Sequence, residues 1–122
     1  MDNRLPGRRI LVVEDNPLIA FDIDDALRES GAYVVGPALD IESGMALVRQ
    51  DSLDGAVLDI DIGGHPVWPI ARGLKADGVP FVFVSGDCDK GLPADFDGAV
   101  CLHKPAQTEA IVTTVAEVMD PR

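Results

Sequence analysis

The chain has 122 residues, of which 47% are hydrophobic, and its formal net charge is −11. This length favours a single domain over residues 1–122, and we expect residues 1–8 to form an N-terminal tail. The negative charge would repel nucleic-acid phosphates, and no apolar run is long enough to cross a membrane. These features argue against nucleic-acid and membrane partners. Because the N-terminus also lacks a signal-peptide core, they predict a cytoplasmic protein.

Five short apolar runs predict the strands of a parallel sheet that is buried on both faces. They are rich in Val, Ile and Phe and do not alternate with polar residues, as is typical of such strands. The runs lie at residues 10–13, 33–35, 56–58, 81–84 and 99–102. Segments that can hold a crossover helix separate most of them, which indicates a doubly wound α/β fold.

The first two helices have clear start signals. Asn16 is a good N-cap, Pro17 suits the first helical position, and Gly31 ends the first helix. Asp40 is predicted to cap the second helix. Both helices would cover the sheet that the apolar runs form.

The later crossovers are less regular. Pro66 and Pro69 are predicted to fall in the first turn of a third helix, where proline is tolerated, and Gly78 would stop that helix. The crossover at residues 86–98 is short and rich in Gly, Asp and Pro, so its helix should be short or absent. A last helix is predicted over residues 108–119.

Two cysteines, Cys88 and Cys101, carry little chemical information in the sequence. Cys101 lies in an apolar run and is predicted to be a small buried hydrophobe. A disulfide is not expected in a reducing compartment. A zinc site is not expected either, because the CxxC or Cys/His spacing of such sites is missing.

Polar side chains follow four of the predicted strands, at the edge where a doubly wound sheet binds its ligands. They are Glu14, Asp15, Asp59, Ser85 and Lys104. Clustered carboxylates repel one another unless a cation intervenes, and Mg²⁺ is the usual hard cation beside phosphate. A carboxylate can also accept a phosphoryl group, whose oxygens then need fixed donors. We therefore predict that Asp59 accepts a phosphoryl group, with Ser85 and Lys104 as the donors.

Each of these residues also has an ordinary alternative role. Glu14 and Asp15 could be helix N-terminal acids, which favour the helix dipole. Asp59 could be a solvated acid at a strand end, Ser85 a turn residue and Lys104 a surface lysine. Their joint placement at four strand ends favours the functional interpretation.

At these residues the sequence resembles the receiver domains of response regulators in two-component signalling. The resemblance covers nearly the whole chain and rests on four motifs: Ile10–Asn16, Val57–Asp61, Val84–Gly86 and Lys104–Pro105. It implies a flavodoxin-like (βα)5 three-layer sandwich. The five-stranded parallel sheet would have the order 2-1-3-4-5, with a short or degraded fourth helix. It also implies a cis peptide between Lys104 and Pro105.

The resemblance further implies the ligands of Mg²⁺. Asp15 and Asp59 would bind it directly, Glu14 partly through water, and Asp61 through its backbone carbonyl. A sensor histidine kinase or a histidine phosphotransfer protein would donate the phosphoryl group. The protein would catalyse only its own phosphorylation, and at most its own dephosphorylation. It would signal to a protein partner as a monomer or weak dimer.

One position departs from the common receiver pattern. Receivers often carry Tyr or Phe three residues before the lysine, where this chain has Cys101. The segment Val79–Gly86 resembles an atypical subgroup with a Pro-Phe-x-Phe-x-Thr-Gly-Tyr segment, except that Ser85 replaces Thr and Asp87 replaces Tyr. We therefore hypothesise that the signal passes through ordering of residues 86–98.

Three hypotheses about function follow. The first is a stand-alone receiver that is phosphorylated on Asp59. The second is a phosphatase of the haloacid-dehalogenase type, which the spacing of Asp59 and Asp61 superficially resembles. The third is a pseudo-receiver that binds partners without phosphorylation, for which Cys101 is the argument. The complete set of site residues favours the first.

Overall fold

The computed structural model describes residues 4–120, and its centre is a five-stranded parallel sheet. Numbered in chain order, the sheet strands are β1 (Arg9–Val13), β2 (Tyr33–Ala38), β3 (Gly55–Asp59), β6 (Phe81–Ser85) and β7 (Cys101–His103). A separate two-stranded hairpin consists of β4 (Asp61–Ile62) and β5 (His65–Pro66). The helices are α1 (Pro17–Glu29), α2 (Ile41–Gln50), α3 (Trp68–Ala76) and α4 (Thr108–Met119).

The order of the sheet is β2-β1-β3-β6-β7, and every neighbouring pair is parallel. This confirms the predicted order 2-1-3-4-5, since β6 and β7 are the fourth and fifth strands of the sheet. The order reverses beside β1, which pairs with β2 on one side and β3 on the other. Such a switch point leaves a crevice at the carboxyl ends of the strands, where ligands bind in open α/β sheets.

The strands bury both faces, which explains their unbroken apolar sequences. In β1, Ile10 and Val12 face one core cluster while Leu11 and Val13 face the other. The first cluster also contains side chains of α1 and α4, and the second contains side chains of α2 and α3. Successive side chains of a strand point to opposite faces, so a doubly covered sheet needs apolar residues at every position. Within residues 4–120, no helix is both long and apolar enough to span a membrane.

The fourth crossover contains two 3₁₀ turns instead of an α-helix, at Cys88–Lys90 and Ala94–Phe96. This confirms the prediction of a short or degraded fourth helix. Phe96 from the second turn is buried and fills part of the core beside Phe83 and Trp68. The segment therefore covers this part of the sheet with the side chains of Phe96 and Leu92 in place of a helix.

Three local predictions differ from the structure. Residues 1–8 were expected to be a tail, but Leu5 is fully buried in the core, because it packs with the α1 and α4 side of the sheet. Met1, Asp2 and Asn3 lie outside the described residues. Pro66 belongs to the hairpin strand β5, and α3 begins later, at Trp68. The last strand begins at Cys101, two residues after its predicted start.

The N-cap of α1 is confirmed and yields a stability prediction. The Asn16 side chain accepts hydrogen bonds from the backbone N–H groups of Leu18 and Ile19, at 3.0 and 3.4 Å. We expect Asn16→Ala to lower the free energy of unfolding by about 1 kcal/mol. Gln107 holds the same position before α4 without a side-chain cap bond, so Gln107→Ala is the matched control. Urea unfolding of both variants tests this, and equal losses would contradict the role of Asn16.

Gly36 has a backbone conformation that other residues reach only with strain. Its φ is +98°, and an added Cβ would lie 2.7 Å from the backbone nitrogen of Ala38. We expect Gly36→Ala to destabilise the protein by about 3 kcal/mol, since both the strain and the clash must be relieved. Gly78 also has a positive φ of +72° but nothing within 4 Å of its Cβ position. Gly78→Ala should therefore destabilise the protein by only about 1 kcal/mol. Thermal unfolding measures both variants, and a larger loss of stability for Gly78→Ala than for Gly36→Ala would contradict this explanation.

Candidate functional site

Three carboxylates meet at the carboxyl ends of β1 and β3. Glu14 and Asp15 follow β1 directly, and Asp59 is the last residue of β3. One carboxylate oxygen from each lies within 4.8 Å of the others. Glu14 and Asp59 are buried, at 2% and 7% exposure, while Asp15 is exposed. The site is therefore an acidic pocket with one side open to solvent.

Lys104 places its ammonium group between two of these acids. Its Nζ lies 2.6 Å from Oε1 of Glu14 and 3.0 Å from Oδ2 of Asp59. The lysine follows β7, which lies at the opposite edge of the sheet from β2. Long-range packing therefore brings together the lysine and the acids that the sequence analysis predicted as one site.

Electrostatics of the pocket depend on burial and on this lysine. Burial raises the pKa of Glu14 from 4.5 to about 7, against the opposing hydrogen bonds from Lys104 and from the N–H of Asn16. Burial would lower the pKa of Lys104, but its bonds to Glu14 and Asp59 outweigh this, and the pKa is raised. Two acids at hydrogen-bonding distance hold the proton on Lys104, so its ammonium group stays charged between Glu14 and Asp59.

Asp15 is stabilised as a carboxylate by the backbone. Its Oδ2 accepts a hydrogen bond of 2.9 Å from the N–H of Gly63, in the turn between β4 and β5. Burial tends to raise the pKa of Asp15, but this bond and others outweigh burial, so the pKa is lowered. The sequence showed the two glycines after Asp59, but it did not indicate that they form a hairpin turn against Asp15.

Ser85 ends β6 and is buried at 2% exposure. Its strand pairs with β3, where Asp59 stands opposite Val84. The Oγ of Ser85 accepts a hydrogen bond of 3.0 Å from the N–H of Asp87. A hydroxyl has one proton to donate besides its lone pairs, so this bond leaves the proton available to another acceptor.

Asp61, the predicted backbone ligand, begins β4, two residues after Asp59. Its side chain is turned to the hairpin, where Oδ1 accepts a hydrogen bond of 3.0 Å from the N–H of Gly64. The Asp61 carboxylate therefore caps the hairpin turn. Its backbone carbonyl stays a predicted ligand.

The peptide between Lys104 and Pro105 is cis, as the resemblance implied. A second cis peptide, between Gly36 and Pro37, was not predicted. The backbone N–H of Lys104 donates a hydrogen bond of 2.9 Å to the carbonyl of Ser85. The chain after β7 is therefore anchored to the end of β6.

The cysteines differ from their prediction. Cys88 and Cys101 form a disulfide with a Cα–Cα distance of 5.9 Å, and both residues are half-buried. The prediction was wrong because the first 3₁₀ turn folds back onto β7, which the spacing of 13 residues in sequence does not reveal. A cross-link over a loop of this length is worth about 3 kcal/mol in the chain-entropy model.

Comparison with known proteins indicates the family that the sequence motifs resemble, the receiver domains of response regulators. The chain is 31% identical to SdrG from Sphingomonas melonis Fr1, with a TM-score of 0.78, and the match covers 97% of this chain and 98% of SdrG. A receiver domain of the PhyR response regulator from Erythrobacter litoralis has a TM-score of 0.83 at 21% identity, over 96% of this chain and 93% of that one.

A third solved structure also shares the fold. It is a response regulator protein from Burkholderia pseudomallei with a phosphorylated aspartic acid, a calcium ion and citrate. Its identity is 21% and its TM-score 0.76, with coverage of 88% of this chain and 66% of that one. No model of a protein family matches the sequence, and no curated protein matches it either.

Proposed function

This chain belongs to the receiver domains of response regulators, and on that basis we propose that Asp59 accepts a phosphoryl group. The observation that supports this most strongly is the position of Asp59. The buried carboxylate lies at the end of β3, beside Glu14 and Asp15, with the Lys104 ammonium 3.0 Å from its Oδ2. This acid thus has both a metal-binding neighbourhood and a fixed positive charge.

The donor set fits a hard divalent cation such as Mg²⁺. Three carboxylate oxygens within 4.8 Å of one another are the ligand type and spacing that such a cation needs. Glu14, Asp15 and Asp59 would hold it, together with the backbone carbonyl of Asp61. When bound, Mg²⁺ neutralises charge on the phosphoryl oxygens.

The side chains of the pocket divide the work of phosphoryl transfer. An Oδ atom of Asp59 attacks phosphorus and forms an acyl phosphate, while the bond from phosphorus to the donor's imidazole nitrogen breaks. Lys104 offers a point charge to the transferred oxygens, and Ser85 offers its hydroxyl proton. The backbone bond from the N–H of Lys104 to the carbonyl of Ser85 brings both donors to the same edge of the pocket.

The donor in this proposal is a sensor histidine kinase or a histidine phosphotransfer protein in the cytoplasm. The exposed side chains of Leu18 and Phe21 on α1 support a protein donor, since α1 begins directly beyond Glu14 and Asp15. The phosphorylated state then changes the binding of a downstream protein, with the receiver as a monomer or weak dimer. The protein catalyses only its own phosphorylation and, at most, its own dephosphorylation.

Membership of the atypical subgroup is also part of the proposal. Phe81 and Phe83 form edge-to-face contacts in the core with Phe96 of the reduced fourth crossover. Cys101 stands where an aromatic switch is common, and its sulfur is bonded to Cys88. These features support a signal that passes through residues 86–98 instead of an aromatic side chain.

Incubation with Mg²⁺ and acetyl phosphate, followed by intact-mass measurement, tests the proposal. We expect the mass of one phosphoryl group to be added, and we expect Asp59→Asn to abolish this gain. Asp51→Asn is the matched control and should still be phosphorylated, because its carboxylate pairs with Arg9 at the start of β1, the end of the strand away from the pocket. No gain in the native protein would support the pseudo-receiver hypothesis, for which the disulfide-bonded Cys101 is the argument.

The phosphatase hypothesis has a separate test. Its basis in this chain is the spacing of Asp59 and Asp61, and the Asp61 carboxylate is engaged by the N–H of Gly64. Hydrolysis of p-nitrophenyl phosphate with many turnovers, abolished by Asp61→Asn, would support a phosphatase. We expect no such turnover.

A further inference from the structure

The disulfide joins the two segments that carry the phosphoryl-binding donors. Cys88 lies three residues after Ser85, and Cys101 lies three residues before Lys104. The cross-link therefore fixes the start of the 86–98 loop to the strand that leads into the lysine. None of the roles assigned above to the pocket requires this covalent bond.

Within residues 4–120, the backbone pairing of β6 with β7 joins the strands themselves, and one exposed ion pair also joins the start of the 86–98 loop to β7. The Nε2 of His103 lies 3.3 Å from Oδ1 of Asp89, but the Asp89 side chain is 93% exposed. The backbone bond from Lys104 to Ser85 holds the far end of β7. Since β7 has three residues and lies at the edge of the sheet beside β6, the disulfide adds a covalent restraint to a short edge strand.

We propose that the Cys88–Cys101 disulfide is a redox-sensitive strap. Reduced dithiol carriers open it by reducing the disulfide, and oxidised carriers close it by forming the disulfide again. When closed, it holds residues 86–98 against β7 and keeps Ser85 and Lys104 in place for phosphoryl transfer. When open, the loop and the strand move more freely. The effect on phosphorylation rests on the proposed function of Asp59, whereas the effect on the loop does not.

The exchange reaction is balanced by the carrier. A thiolate of the dithiol attacks one protein sulfur, the Cys88–Cys101 bond breaks, and the departing thiolate takes a proton. The second thiol of the carrier then attacks its own sulfur in the mixed disulfide and releases the other cysteine. Two electrons and two protons pass to the protein, and the carrier becomes a disulfide. Because both cysteines are half-buried at the sheet edge, a small thiol can reach them.

Preorganisation gives the direction of the effect. Donors that are already in position stabilise developing charge better than donors that must first be ordered. The closed strap restrains the chain just after Ser85 and the strand just before Lys104. We therefore expect the disulfide form to be phosphorylated faster than the dithiol form.

Amide hydrogen exchange in the two redox states tests the strap without any phosphoryl donor. The native protein is measured with its disulfide and after reduction by dithiothreitol, with intact mass as the check on redox state. We expect exchange in residues 86–98 to be at least about threefold faster after reduction, because local opening governs exchange. Unchanged exchange in the fully reduced protein, or a disulfide that resists reduction in the folded state, would overturn the proposal.

Phosphorylation by acetyl phosphate is then timed in both redox states. We expect the reduced protein to react at least about threefold more slowly. Cys88→Ser and Cys101→Ser should each match the reduced protein and show no response to dithiothreitol. An equal or faster rate after reduction would contradict the link to the pocket. If neither form is phosphorylated, the proposed function fails, while the exchange measurement still decides the strap.

Discussion

Lys104→Met is expected to slow phosphorylation of Asp59 by acetyl phosphate about a hundredfold, because removing one fixed donor to the transferred oxygens has effects of this size. The ammonium lies 3.0 Å from Asp59 and 2.6 Å from Glu14, so no change in backbone is needed for it to act. Methionine keeps most of the side-chain volume and removes the charge. The rate constant from intact-mass time courses at saturating Mg²⁺ measures the effect.

The control for this variant is another lysine of the same chain. Lys75 is on α3, where its ammonium hydrogen-bonds to the backbone carbonyl of Asp95 and lies over the ring of Phe96, away from the pocket. Lys75→Met changes the net charge by the same amount, and this variant should be phosphorylated at close to the native rate. A similar loss in both variants would mean that the overall charge matters and that the position of Lys104 does not.

Phe83→Ala is expected to lower the free energy of unfolding by about 4 kcal/mol, a large part of the 5–15 kcal/mol typical of a small domain. Phe83 is fully buried at the centre of an aromatic cluster. Its ring centroid lies 5.7, 5.2 and 5.8 Å from those of Trp68, Phe81 and Phe96. Truncation removes all three contacts and leaves a cavity that rigid neighbours fill poorly.

An exposed phenylalanine supplies the comparison. Phe21 on α1 has 53% of its surface exposed. Phe21→Ala should change the free energy of unfolding by less than about 0.5 kcal/mol. Urea unfolding at neutral pH gives both values, and a loss below about 1 kcal/mol for Phe83→Ala would show that the cluster is not a rigid part of the core.

The main elements were predictable from sequence because their signals are local. Buried strands appear as apolar runs, and α1 and α2 have the side-chain caps that Asn16 and Asp40 provide. Parallel strands bring their carboxyl ends to one edge, so residues after different runs could be placed together. For this reason the neighbourhood of Glu14, Asp59 and Lys104 followed from the fold class alone.

The features that the sequence did not predict depend on how distant segments meet. The hairpin of β4 and β5 is two residues deep, too short for a periodic signal, and it places Gly63 against Asp15. The burial of Leu5 could not be predicted because it depends on how Leu5 packs with the side chains of α1 and α4 in the folded core. Pairing of the cysteines depends on the path of the irregular fourth crossover, where no repeat or spacing fixes the geometry.

The disulfide changes the interpretation of Cys101. As a buried hydrophobe it would be a neutral replacement for an aromatic residue. As a partner of Cys88 it ties the strand to the loop that the sequence analysis had suggested as the route of the signal. The disulfide and the predicted route of the signal thus involve the same segment, residues 86–98. This segment has little regular structure and is linked through Cys101 to the strand that precedes Lys104.

The most direct test of the central claim is to identify the residue that is phosphorylated. Protein treated with acetyl phosphate and Mg²⁺ is reduced with borohydride, which converts an aspartyl phosphate to homoserine, and its peptides are then sequenced by mass spectrometry. We expect homoserine at position 59 and unmodified aspartate at positions 15 and 61. Homoserine at another position, or at none, would contradict it.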